Sequence, residues 1–185
     1  MTKDSRSSMV RSAATLIGTH GMNATSFSDV VADSGAPRGS IYHHFPEGKR
    51  QLAEEAVRYV TDRVLAHQRT CPAATPAEVV GWFVAMWRQV VTASNATAGC
   101  TVAGVAVDSE PGDGGLIDIV RASFRSWIDL LAGQLESAGL PAVRARSIAV
   151  ATLAAMEGAL ILCRAEGSVE PFDAVTAELV RSVNA

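Results

Sequence analysis

Apolar side chains recur at three- and four-residue intervals along most of the chain, the spacing of helices with one buried side. Between about Ser5 and His20 the inward positions are Met9, Val10, Ala13, Leu16 and Ile17, and Gly21 closes the helix. From Lys49 to Arg69, Leu52, Ala56, Val60 and Val64 follow at four-residue steps, with Glu54, Glu55, Arg58 and Asp62 outside. A helix of about twenty residues is roughly 30 Å long, enough to serve as a lever. Pro72 and Pro76 break the chain, and Thr75 caps the next helix, Ala77 to about Ser94. Trp82, Phe83, Met86 and Trp87 cover more than half of its circumference, which predicts burial on two sides. Asn95 to Gly115, with five glycines and Pro111, reads as irregular chain around one short helix near Val102 to Val107. Leu116 to Ala138 then buries Ile119, Phe124, Trp127, Leu131 and Leu135, before an alanine-rich helix from Pro141 to about Glu166. Pro171 opens the last helix, with Phe172, Val175, Leu179 and Val183 inward. No run alternates with period two for long enough to make a strand, so the expected class is all-α.

Ser26 to Phe45, SFSDVVADSGAPRGSIYHHF, carries more than periodicity. Ser26 and Asp29 have the spacing of a capping box, in which the serine oxygen takes the Asp29 amide and the carboxylate returns to the serine amide. Val30 and Val31 face inward, and Ser34-Gly35 ends this short helix, because glycine adopts the left-handed closing conformation without a steric cost. Pro37 suits the first position of a second short helix, on which Ile41 and Phe45 share one side. Arg38, Gly39, Ser40, Tyr42, His43 and His44 then point outward or sideways, a set made almost wholly of hydrogen-bond donors. That is the chemistry of a helix-turn-helix reading a DNA groove; a helical hairpin with a polar outer side has the same pattern. The Arg38 guanidinium is the candidate for base contact, since its fork spans the two acceptors of guanine, with Ser40 and Pro37 beside it at base edges.

The run TSFSDVVADSGAPRGSIYHHF resembles the DNA-binding signature of the TetR family of bacterial transcriptional regulators, and PEGKRQLAEEAV is similar to its LmrA/YxaF-like branch. The resemblance covers about the first sixty residues, with a weaker echo in GCTVAGVAVDSE, Gly99 to Glu110. Two departures are Pro37, where the family often has a serine or threonine cap, and the longer joint Pro46-Glu47-Gly48. Carried over residue by residue, the resemblance implies phosphate contacts from Thr25, Ser26, Tyr42, His43, His44 and Lys49. It also implies dimerisation through the last two long helices, about 141–166 and 171–183, whose small residues let helices approach closely. On their own residues, those helices fit a wholly intramolecular core equally well.

Composition fits a soluble globular protein: 48% of the 185 residues are hydrophobic and 19% charged. Net charge is -3, yet residues 1 to 50 hold six Lys/Arg against four Asp/Glu, and the remainder holds ten against fifteen, so the positive excess is at the head. Lys3 and Arg6 form a short basic arm. Cys71, Cys100 and Cys163 are odd in number and without CxxC spacing, which suits a reducing cytoplasm. The polar start MTKDSRSS lacks a signal-peptide core, and the 17-residue apolar run Ser147 to Cys163, interrupted by Glu157, reads as a buried helix and not a membrane span. The four histidines have no metal-binding arrangement, His43 and His44 facing about 100° apart on a helix. Metal, cofactor and catalytic residues are therefore not expected.

The expected organisation is residues 1–48 as a three-helix helix-turn-helix head and 49–185 as a larger helical domain for effector binding and dimerisation. Trp82, Met86, Trp87, Cys100, Phe124, Trp127, Met156, Glu157 and Leu160 are candidates to line a cavity for a small lipophilic or aromatic effector, with Glu157 as the orienting polar group; core packing is the alternative for each. The resulting expectation is a cytoplasmic homodimeric repressor on a palindromic double-stranded DNA operator, released when the effector tilts the heads. A thiol-sensing regulator using Cys100, or a helical enzyme, is the alternative.

Overall fold

The computed structural model of the protein describes residues 2–72, 74–109 and 114–183. The Lys3 side chain, Glu110 and Pro111 fall outside the described residues. Among those described, the chain forms nine α-helices and no strand: α1 (Thr2–His20), α2 (Phe27–Ser34), α3 (Ser40–His44), α4 (Lys49–Arg69), α5 (Pro76–Ala93), α6 (Thr101–Asp108), α7 (Gly114–Ser137), α8 (Ala142–Glu166) and α9 (Glu170–Ser182). They cluster into two compact units. One holds the chain up to Asp62 together with Cys100–Ser123, the other Arg63–Gly99 with the chain from Phe124 onward, so α4 and α7 each contribute to both.

In the first unit Met9, Ala13 and Ile17 of α1 are buried, as are Val30, Ile41, Phe45, Leu52 and Ala56 from α2 to α4. Burial of a side chain of this size stabilises by about 1.5–3 kcal/mol. Arg6 closes one side, pairing with Glu55 at 2.6 Å and standing 5.5 Å from the centre of the Phe45 ring. Helix α6 also packs on α1. The Thr101 hydroxyl donates to Ala14 O at 2.7 Å, and Gly104 lies so close that a Cβ there would stand 2.9 Å from Ile17 O.

The second helix of the motif begins later than Pro37. Ser40 N–H donates to Pro37 O at 2.9 Å, an i to i+3 bond, and Gly39 is the N-terminal flanking residue with φ -76 and ψ -16. Pro37 thus opens a single tight turn that leads into α3, because the tighter i to i+3 ring forms before the i to i+4 ladder takes over.

In the second unit Val80, Phe83, Trp87, Trp127, Leu131, Leu135, Met156, Leu160 and Phe172 are buried. Thr75 caps α5 as its sequence predicts, in a full capping box with Glu78. Two glutamines add a polar tie: Gln68 Nε2 donates to Gln134 Oε1 at 2.6 Å, and Gln134 Nε2 returns to Gln68 O at 2.8 Å. Arg88 grips Asp173 with two bonds of 2.7 and 2.9 Å, which hold that carboxyl below its usual range. Helix α8 is long and apolar enough to cross a membrane by length and composition. Its inward residues Ala145, Ala149, Leu153, Met156, Leu160 and Cys163 are buried, while Val143, Val150, Ile161 and Leu162 remain exposed.

Candidate functional site

Helix α2 starts where its cap dictates. Ser26 is extended, with φ -102 and ψ 163, and its Oγ accepts the Asp29 N–H at 3.2 Å. Asp29 Oδ2 accepts the Ser26 hydroxyl at 2.7 Å and the Ser26 N–H at 2.9 Å, and these bonds, the hydroxyl's first, hold its carboxyl below the ordinary value. Gly35 ends α2 at φ +66, in the left-handed region that favours glycine. Ile41 and Phe45, each 1% exposed, then fix α3 to the core.

This anchoring turns the donors outward. Pro37, Arg38 and Gly39 are exposed, and the Arg38 guanidinium has no ion-pair partner among the described residues. Ser40 is half-buried and donates its hydroxyl to Pro37 O at 2.7 Å. Tyr42 is 69% exposed, with its ring edge-on to Phe27 at 5.5 Å. His43 is exposed and His44 half-buried, their rings 5.5 Å apart. An open groove of about 510 Å³ runs between α2 and α3, lined by residues that include Phe27, Ser28, Ala32, Arg38 and Tyr42.

Thr25 and Lys49 each donate to a carbonyl within the protein. Thr25 is buried and donates its hydroxyl to Gly21 O at 2.8 Å, and Lys49 Nζ donates to Asn23 O at 3.0 Å. The sequence gives neither Asn23 nor Asp108 a role at the site, yet the Asn23 N–H donates to Asp108 Oδ2 at 2.8 Å. The two positions are 85 residues apart with no local pattern joining them; in the sequence, Gly21 and Gly104 mark the close approach there.

Residues 10–56 match the family model described as bacterial regulatory proteins, tetR family, and residues 76–178 match that of the LmrA/YxaF-like transcriptional regulator C-terminal domain. The chain belongs to the TetR family, in its LmrA/YxaF-like branch. It is 38% identical over 181 residues to an HTH-type transcriptional regulator of Mycobacterium tuberculosis strain H37Rv, covering 94% of this chain and 91% of that one. The HTH-type regulator YxaF of Bacillus subtilis is 30% identical over 166 residues, covering 86% and 84%. A TetR transcriptional regulator from Legionella pneumophila shares the fold, with a TM-score of 0.84 at 24% identity over 95% of each chain. As a TetR-family protein the chain is a DNA-binding transcriptional regulator, not an enzyme, and its Ser26–Phe45 stretch is the helix-turn-helix of an all-helical molecule.

Eight of the nine effector candidates of this TetR-family chain belong to the second unit. Trp87 and Trp127 are buried edge-to-face with ring centres 6.0 Å apart, and Phe124 meets Trp127 at 5.7 Å. Met156 and Leu160 are buried; Met86 and Glu157 are half-buried. Trp82 is half-buried, stacks flat on His67 at 4.9 Å and donates its N–H to His67 O at 3.2 Å. The buried Trp87 Nε1, Thr152 Oγ1 and Gln68 Oε1 have no hydrogen-bond partner among the described residues. Cys100 belongs to the first unit, buried, its sulfur accepting the Ala103 N–H at 3.5 Å as the cap of α6. Among the described residues no group of three or more His, Cys, Asp or Glu is placed to hold a metal.

Proposed function

We propose that the protein is a cytoplasmic, homodimeric repressor that occupies two adjacent major grooves of a palindromic operator and leaves it when a small aromatic effector binds. Residues 1–48 read the DNA; residues 49–185 hold the effector and the dimer contact. The observation that carries this reading is the exposed donor set of α3 and its leading turn, with Arg38 at its edge without an ion-pair partner among the described residues and Ile41 and Phe45 locked beneath. In this arrangement Arg38 takes guanine O6 and N7, Pro37, Gly39 and Ser40 lie along the base edges, and Thr25, Ser26, Tyr42, His43, His44 and Lys49 meet phosphates.

Two features of the second unit support the remainder. The exposed residues Val143, Val150, Ile161 and Leu162 lie along α8, and nothing stands within 4 Å of a Cβ built on Gly158 between them. A second copy placed antiparallel there would bury a stripe that water otherwise covers. For the effector, the edge-to-face cluster of Trp87, Phe124 and Trp127 favours a planar apolar molecule, and the unpartnered Trp87 N–H favours one that carries an acceptor oxygen.

Selection of bound DNA from a random pool tests the reading directly. A recovered palindrome with half-sites about 34 Å apart, one helical turn, is the expected outcome; recovery of unrelated single sites would remove the dimer, and recovery of no consensus would remove the repressor. Titration calorimetry against a panel of flavonoids and other planar hydrophobics tests the effector, with release of that operator as the second readout.

A further inference from the structure

Asn23 sits in the loop between α1 and α2, and its main chain is held from two sides. Its N–H donates to Asp108 Oδ2, at the end of α6, at 2.8 Å, and its carbonyl accepts Lys49 Nζ, from the first turn of α4, at 3.0 Å. The approach of the carboxylate is built in. Gly21 has φ +86, and a Cβ on it would stand 2.7 Å from the same Asp108 oxygen. Upstream on α6, Thr101 and Gly104 seat the helix on α1 through Ala14 O and Ile17 O, so Asp108 projects from a fixed base. Asp108 is thus bound to the loop that ends in Thr25 and Ser26, the cap of α2, and through Asn23 to Lys49.

We propose that Asp108 is a positioning residue for DNA binding: an acidic side chain that strengthens operator affinity without touching DNA, by fixing the Asn23 main chain and with it the 21–26 loop and Lys49. This rests on the reading of Thr25, Ser26 and Lys49 as phosphate contacts. The lysine ammonium has three donors, so one stays on Asn23 O while another reaches a phosphate, and its flexible stem is ordered before DNA arrives. The sign of the effect separates this role from plain electrostatics. A carboxylate near a polyanion repels it, so on charge alone the removal of Asp108 tightens binding. As a positioning residue, its removal weakens binding.

The experiment uses the full chain and the operator recovered by selection, with affinity measured across a salt series. Asp108→Ala is expected to weaken operator binding roughly tenfold, the worth of one well-formed hydrogen bond. The slope of log affinity against log salt should flatten by about 0.9, the value of one phosphate contact. Asp108→Asn keeps an oxygen that accepts the Asn23 N–H and is expected to restore both affinity and slope. In a Lys49→Met background, Asp108→Ala should retain less than half of its effect on log affinity. Binding by Asp108→Ala as tight as wild type or tighter, or an undiminished effect in the Lys49→Met background, overturns the proposal. If Lys49→Met itself changes neither affinity nor slope, the phosphate-contact reading fails and the proposal with it; if Lys49→Met weakens binding and Asp108→Ala does not, the proposal fails alone. Amide hydrogen exchange of the wild-type protein adds a measurement that needs no variant: the Asn23 N–H is expected to be protected, and exchange at the free-chain rate overturns the proposal.

Discussion

Arg38 stands at the exposed edge of the tight turn that starts at Pro37, and among the described residues its fork has no ion-pair partner. Arg38→Ala is therefore expected to weaken cognate operator binding roughly five- to 150-fold, the range of about 1–3 kcal/mol for a bidentate guanine contact, while affinity for random DNA changes far less. Competition of cognate against random duplex measures the ratio, and loss of affinity for both alike would make Arg38 a phosphate contact. Gly104 tests the seating of α6 on α1. An added Cβ meets the Ile17 carbonyl, a backbone atom within α1 that cannot swing aside, so Gly104→Ala should destabilise by about 1–3 kcal/mol, read as a lower denaturant midpoint.

At the scale of elements, α2 depends on Ser26 and Asp29 acting together. The folded Asp29 carboxyl lies below its ordinary value of 3.8, so its contribution to stability is present above that value and is lost as pH falls through the folded one. Asp29→Asn should accordingly lose less stability on acidification below about pH 4 than wild type does, as measured by thermal midpoints across that range. This cap was readable in the sequence because its partners are three residues apart, and so were Gly35 at φ +66 and the cap of α5 at Thr75. The start of α3 was not. Pro37 satisfies the preference for a first helical position, but that preference does not separate a tight turn from the first turn of an α-helix. The seating of α6 was equally hidden. Thr101 to Ala14 O spans 87 residues, and neither residue departs from an ordinary helical pattern. Inward lists fared similarly: Phe45, Leu135 and Phe172 are buried, whereas Leu16, Val60 and Ile119, at equally good spacing, are half-buried because periodicity finds a side of a helix and not the depth of what covers it.

For the whole molecule, the two family matches fall on successive stretches, residues 10–56 and 76–178, and the proposed dimer would decide how well one head can work. A single helix-turn-helix makes few phosphate contacts; two linked heads multiply affinity because the second binds at high effective concentration. Ile161→Glu, which sets a charge in the exposed apolar stripe of α8, is expected to give a monomer by sedimentation and to lower operator affinity by about 100-fold or more, with the helical content kept. A dimer that survives this change would move the interface off α8.

The division into two units has an optical counterpart. Both tyrosines, Tyr42 and Tyr59, belong to the first unit, and all three tryptophans, Trp82, Trp87 and Trp127, belong to the second. Light absorbed by indole but not by phenol therefore excites the second unit alone, and tyrosine absorbance follows the first. The wild-type chain carries its own pair of colours, so that melting of the first unit and of the second can be timed separately without a label or a single substitution.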